Sequence, residues 1–208
     1  VECDKVKASI IVNGGTKGTL LITGDYIIAV DGGANELRRR GIIPNVIIGD
    51  MDSISQSTLN YFKDKGVKVV TYPHEKDETD LELALVYAFE NGAESAEILN
   101  WQGERLDMIL AMIGLISRFD NVVAISEICE LGVLRTGEHT LKALAGEVWS
   151  ILPLCHARLR LEGFKYQFDG DMDLEKPIGV SNVSTTEAVR ISVQDGKVVY
   201  IRWKRKPL

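Results

Sequence analysis

Residues 46–54 read VIIGDMDSI. The run from Val46 to Ile48 is β-branched and shows no polar alternation, the pattern of a strand covered on both faces. Glycine ends the run, and Asp50 and Asp52 follow it. Two residues apart in extended chain, these acids point the same way. Runs of the same build occur on either side: ASIIVNGG (8–15), YIIAVDGGAN (26–35), KVVTYP (68–73), AEILNW (96–101) and NVVAIS (121–126). Helical patterns lie between some of them. ELRRRG (36–41) places arginines before a terminal glycine. DETDLELALVYAFENG (77–92) repeats Leu81, Ala84, Leu85 and Ala88 at helical spacing, and LDMILAMIGLISRF (106–119) is a further helix. Doubly covered strands alternating with helices predict an α/β domain built on a parallel sheet, over residues 1–130.

Beyond residue 130 the pattern changes. GVLRTG (132–137), EVWSILPL (147–154), RLRLEGFKYQF (158–168), GVSNVS (179–184), AVRISV (188–193) and KVVYIRW (197–203) follow one another with no long helical stretch between them. Asp195–Gly196 reads as a hairpin turn between the last two. Residues 131–208 are therefore expected to form a small antiparallel sandwich or barrel.

The carboxyl ends of parallel strands share one edge, where ligands bind. Acids fall at three of these ends: Asp31, the Asp50–Asp52 pair, and Asp77 with Asp80, which would share a helix face. Singly, Asp77 or Asp80 reads as a helix cap and Asp31 as a turn residue. Jointly, like charges on one edge repel, and a cation removes that cost. Carboxylates with no histidine or cysteine expected among the ligands favour Mg2+, which completes its shell with water and substrate phosphates. Gly14 and Gly15, in NGGTKG (13–18), are placed for backbone N–H groups to approach a phosphate, with Lys17 as a helper. Neither a Walker A motif nor GxGxxG occurs.

The 208-residue chain carries 24 Lys+Arg against 30 Asp+Glu, a net charge of −6, which disfavours a nucleic-acid partner. Its apolar runs are too short to span a membrane. Cys3, Cys129 and Cys155 are widely spaced and form no CxxC, so reduced thiols in a cytoplasmic protein are expected. Trp101 reads as core, His74 as a loop residue near the acids, and RRR (38–40) and RWKRKPL (202–208) as solvated ends.

DGGAN (31–35), GDMDSI (49–54) and KDETDLELAL (76–85), in that order, resemble the thiamine pyrophosphokinase family. GERLDMILAMI (103–113), GEHTLK (137–142), SILPL (150–154), GFKY (163–166) and SN (181–182) extend the resemblance over nearly the whole chain. It implies an ATP-binding α/β domain, a thiamine-binding β-sandwich, and a homodimer whose thiamine cleft is completed by the partner subunit. It implies pyrophosphoryl transfer from ATP to the thiamine hydroxyl. By motif, Asp50, Asp52 and Asp80 would hold Mg2+, and Asp31 and Asp77 would complete the acidic site. Asn35, Arg105 and Asp107 would lie by the nucleotide, and Ser181 and Asn182 would face thiamine. Three positions depart from the pattern: Glu104 stands for a second glycine, Met108 for a histidine, and Val183 for an acid. A diverged thiamine- or nucleotide-binding protein without turnover, and a related Mg2+-dependent enzyme with another substrate, stay open.

Overall fold

The computed structural model describes residues 6–15, 18–205 and 207. Lys17 and Cys3 lie outside them. The chain forms two compact units, Val1–Leu115 with Asp120–Ser126, and Ile116–Phe119 with Glu127–Leu208.

The first unit carries β1 (Lys7–Ile11), β2 (Tyr26–Val30), α1 (Gly33–Arg39), β3 (Val46–Gly49), α2 (Gln56–Asp64), β4 (Lys68–Thr71), α3 (Asp80–Glu90), β5 (Ser95–Leu99), α4 (Leu106–Ile116) and β6 (Val122–Ile125). Its strands pair in parallel in the order β6-β5-β1-β2-β3-β4. The chain winds outward from β1 to β4, then returns to the other side of β1 with β5. The order therefore reverses between β1 and β5, and the loops after those strands flank the crevice where such sheets take ligands. Ile10, Ile28, Ile47 and Ile98 are fully buried. Burial of each such side chain is worth roughly 1.5–3 kcal/mol.

One buried charge sits in the β1–β5 seam. The Glu97 carboxylate accepts hydrogen bonds from Ser9 Oγ (2.6 Å), Thr23 N (2.7 Å) and Thr23 Oγ1 (2.7 Å), and pairs with Lys7 Nζ at 2.6 Å. Burial alone would raise its pKa. These partners outweigh burial and hold it below the usual carboxylate range.

Helix α2 has no counterpart in the expected element order, which passes directly from β3 to β4. Its sequence, QSTLNYFKD, is mostly polar, and it buries only Thr58, Leu59 and Phe62. Ser55 caps it, accepting from Thr58 N at 3.3 Å. The cap of α3 is Thr79, which accepts from Glu82 N at 3.2 Å, so neither Asp77 nor Asp80 caps that helix. Asp80 is its first residue and Asp77 precedes it, so the two do not share a helix face.

The second unit is antiparallel: β7 (Cys129–Lys142), β8 (Val148–Glu162), β9 (Phe168–Asp173), β10 (Asn182–Val183) and β11 (Ala188–Trp203). The order is β10-β8-β11-β7, and β9 also pairs with β8. The expected short strands are largely halves of long ones. Asp195–Gly196 is not a hairpin turn. It lies within β11, where the register against β7 and β8 shifts. Gly196 holds φ at +81°, and a Cβ there would stand 2.3 Å from the His156 carbonyl oxygen. The bulge also resets side-chain parity. Val189, Ile191 and Val193 point into the core before it, and Val198 and Tyr200 after it. Trp149, Ile151, Ala157, Leu159 and Leu161, from both halves of β8, join the same cluster. One core filled from both halves of two long strands requires those strands to bend over it, which gives the expected sandwich from fewer, longer pieces.

Candidate active site

Asp31, Asp50 and Asp80 converge. Each offers a carboxylate oxygen within 4.8 Å of the others, and Asp50, Asp52 and His74 form a second such group. The strand ends explain the convergence. Val30 of β2 pairs with Ile48 of β3, so the residues that follow lie side by side. Asp80 arrives on the first turn of α3.

Gly49 makes the close approach possible. Its φ is +148°, and a Cβ there would stand 2.9 Å from the Asp31 Cβ and 3.4 Å from the Asp80 Cγ.

Asp31 is buried and adopts the left-handed region, with φ +43°. Its Oδ2 accepts from Ser53 N (3.1 Å) and, at short range, from Ser53 Oγ, while Oδ1 accepts from Ile54 N (3.2 Å). Ser53 is a hub that the sequence reading passed over. Its Oγ also accepts from Gly32 N (2.9 Å) and Asn13 Nδ2 (3.2 Å), tying the β1 loop to the acids.

The acids differ in electrostatics. Burial works against the Asp50 charge. The Asp52 N–H (3.2 Å), His74 Nδ1 (2.6 Å) and the Lys76 ammonium (3.5 Å) more than offset this and lower its pKa. The Asp52 pKa is raised, first by its hydrogen bond with Asp31, then by burial and the charges of Asp50 and Asp31. The Asp80 pKa is also raised, chiefly by burial, with Asp50 and Asp31 adding to it against Lys76. Carboxylates that push one another toward protonation are a set short of positive charge.

Asp80 Oδ1 gives the sharpest test of a cation. It is buried and has no hydrogen-bond donor among the described residues. Lys76 Nζ lies 3.1 Å away, within ion-pair range but not aligned as a hydrogen bond. An all-oxygen donor set with one orphaned carboxylate oxygen fits a hard divalent ion such as Mg2+.

Asp77 is exposed and belongs to neither group. His74 and Lys76 do meet the acids. The sequence reading left His74 as a loop residue, and it gave Lys76 no role although it opens the motif that ends in Asp80.

The nucleotide-side candidates lie around the reversal between β1 and β5. Gly15 N donates to Gln102 O at 2.6 Å, so that N–H is engaged by the protein rather than presented to a ligand. Asn100 Nδ2 donates to the carbonyls of Val12 (2.8 Å) and Gly14 (3.2 Å). These bonds lock the 13–15 loop to the 100–103 loop, which leads to Arg105. Arg105 is exposed and pairs in bidentate fashion with Asp107 at 2.9 and 2.6 Å, and this partner draws the Asp107 pKa down to about 2. Asn35 is occupied: Nδ2 donates to Ser53 O (3.0 Å), and Oδ1 accepts from Ser55 N (3.1 Å). Its carboxamide braces the loop after the acids. Trp101 is half-buried, with its Nε1 enclosed and without a hydrogen-bond partner among the described residues.

In the second unit, Asn182 is buried. Its carboxamide accepts from Tyr166 N (3.0 Å) and donates to Tyr166 O (2.7 Å), so it clamps backbone. Ser181 is exposed, with φ +59°.

A parallel α/β unit with carboxylates gathered at its strand ends, followed by an antiparallel sandwich, defines a two-unit protein with an acidic cluster at the ligand-binding edge of its first sheet. Residues 18–126 match the thiamin pyrophosphokinase catalytic domain, and residues 138–198 match the thiamin pyrophosphokinase vitamin B1 binding domain. The chain belongs to the thiamin pyrophosphokinase family. Thiamine pyrophosphokinase of Bacillus subtilis is 28% identical over 183 residues, covering 84% of this chain and 86% of that protein. Thiamine pyrophosphokinase 1 of rice is 29% identical over 72% of this chain, a match that spans 62% of the rice protein. The crystal structure of the Bacillus subtilis enzyme superposes with a TM-score of 0.83 at 27% identity, over 96% of this chain and all of that one.

Proposed function

We propose that this chain transfers a pyrophosphoryl group from ATP to the hydroxyl of thiamine, giving thiamine diphosphate and AMP, with Mg2+ and as a homodimer. The observation that carries the reading is the convergence of Asp31, Asp50 and Asp80 at the strand ends of the family's catalytic domain.

Asp50, Asp52 and Asp80 are assigned as the Mg2+ ligands. Asp50 belongs to both acidic groups and is the pivot. Asp31, whose oxygens are engaged by Ser53 and Ile54, positions the loop and adds charge. Asp77 receives no part in the metal site. Bound Mg2+ would neutralise the phosphate oxygens and stabilise the negative charge that grows on the bridging oxygen as it departs with AMP.

The protein's own groups do the rest. The locked loops after β1 and β5 give the triphosphate a rigid floor, and Arg105, once released from Asp107, supplies a bidentate guanidinium for it. Thiamine's hydroxyl needs alignment and a proton acceptor, a role for an aspartate of the cluster. Ser181 is the thiamine contact, with Asn182 holding the surrounding backbone. A cationic substrate also suits an acidic site.

The test is incubation with ATP, Mg2+ and thiamine, followed by chromatography for AMP and thiamine diphosphate. Their joint appearance is the expected result. Thiamine binding by calorimetry with neither product formed would reject catalysis and leave a binding protein. AMP without thiamine diphosphate would redirect the assignment to another acceptor.

A further inference from the structure

Lys76 stands among the acids as a cation. Its Nζ lies 3.1 Å from Asp80 Oδ1 and 3.5 Å from Asp50 Oδ2, and donates to the Pro73 carbonyl at 3.0 Å. Only 12% of the side chain is exposed, against 10% for Asp50 and 22% for Asp80. We propose that Lys76 is the built-in counter-ion of the acid cluster: it holds Asp50 and Asp80 together without metal, and a divalent ion must displace its ammonium to reach them.

The argument starts from repulsion. Three carboxylates with oxygens inside 4.8 Å would spread apart unless a positive charge lies between them. The described residues supply two basic groups here. His74 faces Asp50 and Asp52 from the exposed side, with 71% of its side chain accessible. Lys76 alone bridges Asp50 to Asp80, the two acids shared with the group that contains Asp31. Four residues before Asp80, in the loop that leads into α3, its ammonium reaches the acids.

Geometry also shows why the arrangement is provisional. The ammonium meets Asp80 Oδ1 off the hydrogen-bonding direction and leaves that oxygen without a donor among the described residues. A divalent ion binding Asp80 satisfies that oxygen better and expels the ammonium by charge. The flexible stem of lysine permits the move, and a phosphate on the metal gives the displaced ammonium a new anionic partner. Lys76 thus competes with metal before nucleotide arrives and pairs with nucleotide afterwards.

This rests on the metal-site reading above, and the two separate in one experiment. Mn2+ serves as the probe, since it takes the same oxygen ligands and its paramagnetic resonance reports the free ion. The metal is titrated without nucleotide into the wild-type chain, Lys76→Met and Lys76→Arg. A merely structural lysine would weaken metal binding when lost. A competing counter-ion gives the opposite sign: Lys76→Met binds Mn2+ about tenfold more tightly, on the scale of removing one charge from this distance. Lys76→Arg stays near wild type. The metal-free Lys76→Met protein melts lower and gains more from Mn2+ than wild type does.

Unchanged or weaker binding by Lys76→Met, with wild type binding normally, overturns the counter-ion role and leaves the metal site standing. No Mn2+ binding by wild type or by Lys76→Met removes both. If Lys76→Met does not fold without metal, Lys76→Gln, which keeps a polar end, carries the same test.

Discussion

At the residue scale, the acids are not equivalent, and their differences set the predictions. Asp52 is the most exposed of the converging acids and makes the fewest contacts that hold the loop. Asp52→Asn should therefore abolish Mg2+-dependent turnover while leaving the metal-free melting temperature equal or higher, because repulsion falls. Unchanged turnover in the AMP assay would remove Asp52 from the site. Asp80 has a raised pKa, so its sign is that of a destabilising charge. The native state holds that proton more tightly than the unfolded chain does. Its cost is absent below the unfolded carboxylate pKa, near 4, and grows as pH rises toward the folded value. Asp50, with its pKa lowered, acts oppositely: its contribution is present above the unfolded pKa and lost as pH falls. Asp80→Asn should thus stabilise the metal-free protein more at pH 7 than at pH 4, read by urea unfolding at both. An equal effect at the two values would show that Asp80 carries no such penalty. Most of the converging residues were legible from sequence because strand-end placement follows from the apolar runs. Ser53 and Lys76 were not, since a serine hydroxyl or a lysine ammonium takes its meaning from partners that only the folded loops bring near.

At the element scale, the parallel strands were readable because burial on both faces leaves an unbroken apolar run. Helix α2 was not, because a mostly polar nine-residue helix with one buried side gives little periodic signal. The long strands of the second unit were divided in the reading for a related reason. Asp-Gly is the residue pair of a two-residue hairpin and equally that of a bulge, and the positive φ at Gly196 serves both. What distinguishes them is the partner strand, which continues past the bulge. Gly196→Ala should cost about 1–3 kcal/mol from the left-handed backbone alone. The clash with the His156 carbonyl should add to that. Chemical denaturation measures it, and a neutral substitution would mean that the bulge relaxes freely.

At the scale of the whole molecule, a site that repels itself without a cation makes stability depend on metal. Mg2+ at about 100 times its dissociation constant should stabilise the chain by about 2.7 kcal/mol. The melting temperature should rise with Mg2+ and fall back with chelator. Absence of any rise at saturating Mg2+ would contradict the assignment of Asp50, Asp52 and Asp80. The proposed homodimer predicts sedimentation at twice the chain mass, and a single-chain mass at micromolar concentration would overturn it. Both units carry a family match, and the order of motifs along the chain announced this before any packing was known.

The Glu97 network has a consequence for how the molecule comes to exist. Ser9 and Glu97 are 88 residues apart, yet β1 and β5 are neighbours at the middle of the sheet. On a ribosome, β1 leaves the tunnel long before its second partner is made. Until then one edge of the future central strand stays open, with Lys7 and Ser9 facing water. Loop closure over that span is the slow kind of contact, and topology of this sort sets folding speed. A charged carboxylate at that seam is an inward-pointing charge of the kind that discourages wrong strands from joining, since only a strand bringing matching donors can bury it. The same group that sits quietly in the finished core thus sets where β5 docks, since the β1 edge brings the Ser9 and Lys7 donors that its charge requires.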